Sequence, residues 1–196
     1  IASAVRITQI TEQTPEVQFT TQETVSPEHI ALKLNNVTFA YDGQTQPALN
    51  DINLSIQAGE HVAILGRTGC GKSTLLQLLT RAWDPRQGQI AFNGTPLVDF
   101  SEQALRKAVS VVPQRVHLFS ATLRDNLLLA SPTASDEKLC TVLEQVGLHK
   151  LLEDDGLNGW LGEGGRQLSG GELRRLAVAR AVLHDAPLML LDEPTE

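Results

Sequence analysis

The chain has 196 residues, 41% of them apolar and 20% charged, which is enough to bury a core and too mixed for a low-complexity segment. Its net charge of −7 argues against a general nucleic-acid binder, which would carry a basic face. Two cysteines, Cys70 and Cys140, give no support for a disulfide framework and fit a reducing compartment, and no apolar run reaches the roughly 18–20 residues a membrane-spanning helix needs.

Residues 1–28 differ in character from the rest. Ile1–Ile10 predicts one or two helical turns, and Thr11–Pro27, rich in Thr, Gln and Glu with prolines at 15 and 27, reads as a linker. Such an opening suggests the downstream part of something longer. From Ile30 the pattern turns β-like: Leu32, Leu34, Val37 and Phe39 before a turn at Asp42-Gly43, then Leu49, Ile52, Leu54 and Ile56 before a turn at Ala58-Gly59. These predict antiparallel strands. His61–Leu65 reads as a buried parallel strand, and Lys72–Ala82, with Leu75, Leu76, Leu78 and Leu79 at helical spacing, as a helix.

Between them lies Gly66-Arg67-Thr68-Gly69-Cys70-Gly71-Lys72-Ser73, which fits G-x-x-x-x-G-K-[ST] at every fixed position. Glycines let the backbone turn several N–H groups into one concavity, and the following helix adds the positive end of its dipole. An anionic polyphosphate fits there, so Gly66 to Ser73 and the adjoining Thr74 form the expected nucleotide-contacting set. Lys72 would reach the β- and γ-phosphates, and the Ser73 hydroxyl a bridging Mg²⁺. Cys70 occupies a variable position of the loop, where a small packing residue weighs against an oxidation-sensitive thiol.

Gln89–Asn93 predicts a short strand with turns at Gly88 and Gly94, and Ser101 a cap for a helix carrying Ala104, Leu105 and Ala108. Val109–Val112 predicts a second buried parallel strand ending at Pro113-Gln114. Between Pro113 and Arg166 the pattern is helical: Ala121–Ala130, Ser135–Val146 with Ser135 as N-cap, and Leu148–Glu153. Leu173–Leu183 predicts a long helix, and Leu188–Leu191 an apolar strand ending in Asp192-Glu193.

An Asp at the C-terminal end of a buried parallel strand can hold a Mg²⁺ shell, and a neighbouring Glu can polarise an attacking water. Asp192 and Glu193 fit those roles; the competing reading is a solvated turn. The turn Leu168-Ser169-Gly170-Gly171-Glu172 offers another helix N-terminus with a serine hydroxyl, so Ser169, Gly170 and Gly171 are candidate phosphate contacts. Two such termini for one nucleotide are redundant within a subunit, which favours a turn that covers a partner's nucleotide; an ordinary capped helix start is the alternative.

Residues 29–196 resemble the nucleotide-binding domains of ABC (ATP-binding cassette) transporters. On this resemblance Gly66–Ser73 is Walker A, Leu188–Asp192 is Walker B with Glu193 as catalytic glutamate, and Leu168–Glu172 is the signature, with Glu172 where Gln is commoner. Gln114 falls at the Q-loop glutamine, a second Mg²⁺-linked and catalytic position, and Tyr41 at the aromatic that stacks on adenine; packing at a strand end is the alternative for Tyr41. The implied fold is α/β: a P-loop NTPase with a RecA-like parallel sheet, an antiparallel β edge and a helical subdomain at about 115–165, truncated after Walker B. The implied cofactors are ATP and Mg²⁺.

Leu118–Leu127 and Gly162-Glu163-Gly164-Gly165 are similar to the exporter patterns after the Q-loop and before the signature. Residues 1–28 then correspond to the end of a last transmembrane helix and a linker, so the chain's own transmembrane domain is expected upstream, with this domain at the cytoplasmic face of a bacterial inner membrane. Val112–Phe119 and Trp160–Arg175 further resemble one subunit of bacterial heterodimeric exporters of cysteine or glutathione that serve cytochrome bd assembly. That implies a second ABC subunit completing the ATP sandwich, and no nucleic acid. None of His29, His61, His117, His149 and His184 lies downstream of Glu193, where the family places its switch histidine, so the 196-residue piece is expected to bind nucleotide weakly and hydrolyse little. Two rival readings are a soluble ABC ATPase working on nucleic acid or ribosomes and a non-catalytic ATP-dependent dimerisation module; the acidic balance and Glu193, respectively, count against them.

Overall fold

The computed structural model describes residues 15–153 and 155–193, so the helical turns expected at Ile1–Ile10 lie outside the described residues. The chain divides into two units, one comprising residues up to Val25 and Ala31–Glu102, the other Ser26–Ile30 and the residues from Gln103 on.

The first unit is built on an antiparallel sheet of β1 (Leu32–Phe39), β2 (Leu49–Ile56), β3 (Gln87–Phe92) and β4 (Thr95–Pro96) in the order β2-β1-β3-β4. On β1 the buried residues are Leu32, Leu34, Val37 and Phe39. Period-2 alternation slips by one between Leu34 and Val37, and there the register with β2 shifts, with Asn36 in the left-handed region at φ +49°. The bulge restores the inward face after an extra residue. Gly88 faces this irregularity from β3: at φ +81° it is part of the strand rather than the expected turn, and a Cβ there would lie 2.3 Å from the Asn36 carbonyl oxygen. The turns at Asp42-Gly43, Ala58-Gly59 and Asn93-Gly94 form as the sequence predicts.

Helix α1 (Lys72–Leu79) buries Thr74, Leu75, Leu78 and Leu79, the i, i+3, i+4 stripe of an amphipathic helix. It stops three residues before Ala82. The N–H of Arg81 bonds the Leu78 carbonyl at 3.0 Å and that of Ala82 the Gln77 carbonyl at 2.9 Å, a Schellman ending with Arg81 in the left-handed position at φ +54°. The expected strand at His61–Leu65 does not form: the segment is exposed, Leu65 to 91%. A parallel strand needs a ladder partner, and among the described residues none pairs with it.

In the second unit, β5 (Val109–Val112), which follows α2 (Glu102–Ala108), pairs in parallel with β8 (Leu188–Leu191), from Val109 opposite Leu188 to Val112 opposite Leu191. The Asp192 N–H extends the ladder to the Val112 carbonyl at 3.0 Å. Between these strands lie β6 (Ala121–Thr122), α3 (Leu123–Leu128), α4 (Asp136–Gln145), β7 (Trp160–Leu161) and α5 (Gly170–His184). Thr122 and Ser135 cap α3 and α4 by accepting from the N–H of Asp125 and Lys138. Leu148–Glu153 supplies only a 3-10 turn, His149–Leu152. Leu123, Leu127, Leu139, Leu143 and Leu176 pack into one core with almost no exposure, and truncating any of them should cost roughly 2–5 kcal/mol.

Candidate nucleotide-binding and catalytic site

The first unit carries the phosphate loop. Gly71 precedes α1 at φ +98°, and a Cβ there would sit 2.5 Å from the Ala48 carbonyl oxygen, so both the backbone angle and the close approach require glycine. Gly69 is left-handed at φ +81°. The Lys72 ammonium folds over the loop, donating to the carbonyls of Gly66 at 2.8 Å and Arg67 at 3.1 Å and lying 4.0 Å from Cys70 Sγ. Such carbonyl partners are exchangeable for phosphate oxygens, since an ammonium has three rotatable donors. Residues 66–70 are exposed, and Ser73 follows at the helix start.

Tyr41 is held on the same unit. Its hydroxyl donates to Gln77 Oε1 at 2.8 Å and lies 3.0 Å from Thr74 Oγ1, both on α1, and its ring meets Phe39 edge-on at 5.0 Å and Trp83 at 6.0 Å. The ring orientation is thereby fixed from three sides. Sequence reasoning named Tyr41 and Thr74 but missed Gln77 and Trp83, whose signal was their place one helical turn and a short tract beyond Thr74.

The second unit carries the carboxylates. Asp192 and Glu193 follow β8, and Glu193 is left-handed at φ +49°, a conformation costing a side-chain-bearing residue about 1 kcal/mol. Its carboxylate accepts from Gln114 Nε2 at 2.6 Å, so the two residues predicted as catalytic meet at the C-terminal end of the parallel pair. Ser169, Gly170 and Gly171 open α5. The Ser169 hydroxyl accepts from the Glu172 N–H at 3.2 Å and the Ser169 N–H donates to Glu172 Oε2 at 2.8 Å, a reciprocal capping box. Arg166 adds a 3.0 Å ion pair. The Ser169 N–H foremost, with Arg166 assisting, holds the Glu172 carboxyl below its ordinary value, against a smaller opposing effect of burial.

A hub the sequence did not announce ties α5 to the segment after Gln114. Asn126 is fully buried; its amide donates to the carbonyls of Phe119 and Thr122 at 2.9 and 3.0 Å, and its oxygen accepts from the Phe119 N–H at 3.1 Å and Arg180 at 2.8 Å. Arg180 also donates to the carbonyls of His117 and Asn126, each at 2.8 Å, and burial pulls its guanidinium below its usual value. The available signal was an Asn on the same helical face as Leu123 and Leu127, with an Arg on the long helix to match it.

The Mg²⁺ donors expected from the sequence, Ser73 on the first unit and Gln114 and Asp192 on the second, compare with the ion by donor chemistry alone. Ser73 Oγ, the Asp192 carboxylate and the Gln114 amide oxygen are hard oxygen ligands, and Gln114 makes its bond to Glu193 through nitrogen. That chemistry fits Mg²⁺, which binds through few protein oxygens beside phosphates.

The ABC transporter family model matches residues 49–196. The chain belongs to the ABC transporter family. It is 68% identical over 196 residues to the glutathione/L-cysteine transport system ATP-binding/permease protein CydC of Escherichia coli K12, and 48% identical over 199 residues to CydC of Haemophilus influenzae. Each match covers 100% of this chain and 34% of the relative, so the chain spans about a third of their length. The structure of a bacterial Atm1-family ABC exporter with ATP bound matches with a TM-score of 0.90 at 29% identity, over 99% of this chain and 34% of that one. The ABC ATPase fold expected from the sequence is therefore present, as a mixed α/β chain with an antiparallel sheet, a parallel strand pair and helices. Among the described residues no helix is long and apolar enough to cross a membrane.

Proposed function

We propose that this chain is the ATP-hydrolysing domain of an ABC exporter of a small thiol, cysteine or glutathione, with residues 29–196 as the nucleotide-binding domain and residues 1–28 leading from a transmembrane domain of the same polypeptide. On this reading the domain works at the cytoplasmic face of the bacterial inner membrane beside a CydD-like second subunit, and the transport serves cytochrome bd assembly. The observation that carries the ATPase part is the 2.6 Å hydrogen bond that presents Gln114 and Glu193 together at the end of a parallel strand pair, in a chain with a complete phosphate loop. The thiol part rests on the 68% identity to a glutathione/L-cysteine transport protein.

The chemistry follows from the residues. Tyr41 offers its ring to adenine; the N–H groups of the loop Gly66–Ser73, with Lys72, hold the phosphates. Ser73, Asp192 and Gln114 would hold Mg²⁺, which when bound would supply charge neutralisation for the phosphoryl group. The Glu193 carboxylate accepts a proton from the attacking water, and Gln114 orients that carboxylate. Ser169, Gly170 and Gly171 present a capped helix N-terminus, with no side chain beyond a hydroxyl, to the γ-phosphate bound by the second subunit.

The test uses the full-length transporter with its partner in proteoliposomes. Glu193→Gln should retain bound ATP while hydrolysis falls about 10²-fold or more, the usual contribution of a positioned general base. Undiminished hydrolysis would remove Glu193 from the chemistry. ATP-dependent movement of reduced glutathione by the wild type tests the substrate; hydrolysis without thiol transport would overturn that part alone.

A further inference from the structure

Residues 15–25 contain neither helix nor strand, yet three groups of the first unit grip them. Arg86 Nη2 lies 3.4 Å from the Glu16 carboxylate. Arg81 Nη2 donates to the Gln18 carbonyl at 2.7 Å, and its guanidinium stands 4.6 Å from the centre of the Phe19 ring. Thr24 and Ser101 bond reciprocally, the Ser101 N–H donating to Thr24 Oγ1 at 2.8 Å and the Thr24 hydroxyl lying 3.2 Å from Ser101 Oγ. A flexible tether would need none of this.

Arg81 is the unusual member. It is only 4% exposed, and it occupies the left-handed position of a Schellman ending, where glycine is preferred and a side chain costs about 1 kcal/mol. Its fork is committed to Asp84, at 2.8 and 3.1 Å, and to the Gln18 carbonyl, while the buried Nη1 has no hydrogen-bond partner among the described residues. A local helix stop would be better served by glycine, so the side chain is there for what it holds. The tract Arg81–Arg86 also faces the nucleotide side: Trp83 packs on Tyr41, and Arg86 bonds Asp42, the next residue, as well as Glu16. One short tract thus touches the adenine-side aromatic, the end of the phosphate-loop helix and the segment 15–25.

We propose that Arg81 is a positioning residue that fastens the strap Pro15–Val25 to the end of α1, so that a nucleotide-driven shift of α1 and Tyr41 is transmitted along the chain toward its N-terminal side. The proposal rests on the reading above that a transmembrane domain lies on that side. The strap would then be the mechanical output of the ATP site.

Hydrogen exchange on the full-length transporter with its partner, with and without AMP-PNP–Mg²⁺, tests it. In the wild type, amides of residues 16–25 should exchange slowly and slow further with AMP-PNP. In Arg81→Ala their exchange should rise about tenfold or more and lose its nucleotide response, as expected when a buried charged hydrogen bond is removed from an irregular segment. Binding of AMP-PNP should stay within about twofold, because no phosphate contact is altered, while stimulation of hydrolysis by reduced glutathione should fall to about onefold. Arg81→Lys, which cannot reproduce the fork, should fall between. Phe19→Ala, which leaves the Arg81–Asp84 pair intact, should reproduce the loosening without threatening the fold. Unchanged exchange in Arg81→Ala and Phe19→Ala, no exchange response to bound AMP-PNP in the wild type, or full glutathione stimulation with a freed strap would each overturn the proposal. Failure of the wild type to bind AMP-PNP would instead overturn the nucleotide-site reading, and absence of glutathione stimulation in the wild type the substrate reading, with the exchange response then deciding the strap.

Discussion

Glu172 shows how one atom's neighbours change the meaning of a residue. By sequence it is a departure from the commoner Gln; by structure it is the third helical residue of a capping box, bonded to Ser169 and ion-paired with Arg166. A carboxyl whose folded-state value is depressed adds stability that is fully present above its unfolded value, about 4.5, and is lost as pH falls through the lower folded value. Glu172→Gln keeps an oxygen for the Ser169 N–H and loses the ion pair, so it should destabilise by less than about 1 kcal/mol at pH 7. The gap in melting temperature between wild type and variant should shrink as pH drops below 4.5. A gap that stays constant from neutral pH to pH 3 or so would show that the carboxylate contributes nothing beyond the amide.

Among elements, the segment from Gln114 to α3 is held on α5 by Asn126 and Arg180, and the cost of breaking that hub can be set against an exposed control. Asn126→Ala leaves a guanidinium and the Phe119 backbone groups without their buried partner, which should cost about 2–4 kcal/mol, whereas Leu129→Ala, at a position 59% exposed, should stay within about 0.5 kcal/mol. Similar denaturation midpoints for the two would mean that water replaces Asn126 freely. The same elements show what the sequence could convey. Local backbone chemistry was readable: Ser135 caps α4, glycines 43, 59 and 94 sit in turns, the loop Gly66–Gly71 runs into α1, and Asp192-Glu193 follows β8. Pairing was not. His61–Leu65 is apolar at four of its five positions, but a strand exists only with a ladder partner, and the partner is a property of the sheet. Gly88 signals a positive φ without saying whether a turn or a bulge uses it, and Asn126 looks like any polar residue in a short helix until Arg180 is beside it.

For the whole molecule, the phosphate loop and the signature turn lie on different units of one chain, and the proposed sandwich assigns them to different nucleotides. That assignment makes two substitutions in this chain separable. Lys72→Ala removes the ammonium that covers the loop and should abolish photolabelling of this subunit by 8-azido-ATP. Gly170→Asp adds a carboxylate at the N-terminus of α5, where, beyond its chain neighbours and the helix's own backbone, no heavy atom of the described residues lies within 4 Å of the new Cβ, so the fold should tolerate it while a facing γ-phosphate is repelled. It should leave labelling of this subunit's own loop intact and lower nucleotide trapping on the partner subunit about tenfold or more, the effect expected of a like charge in a desolvated phosphate site. The two subunits can be separated after labelling, so each nucleotide is read on its own chain. Loss of label on this subunit in Gly170→Asp, with the partner unaffected, would mean that the turn serves its own loop, and the sandwich would have to be abandoned for a site closed within one chain.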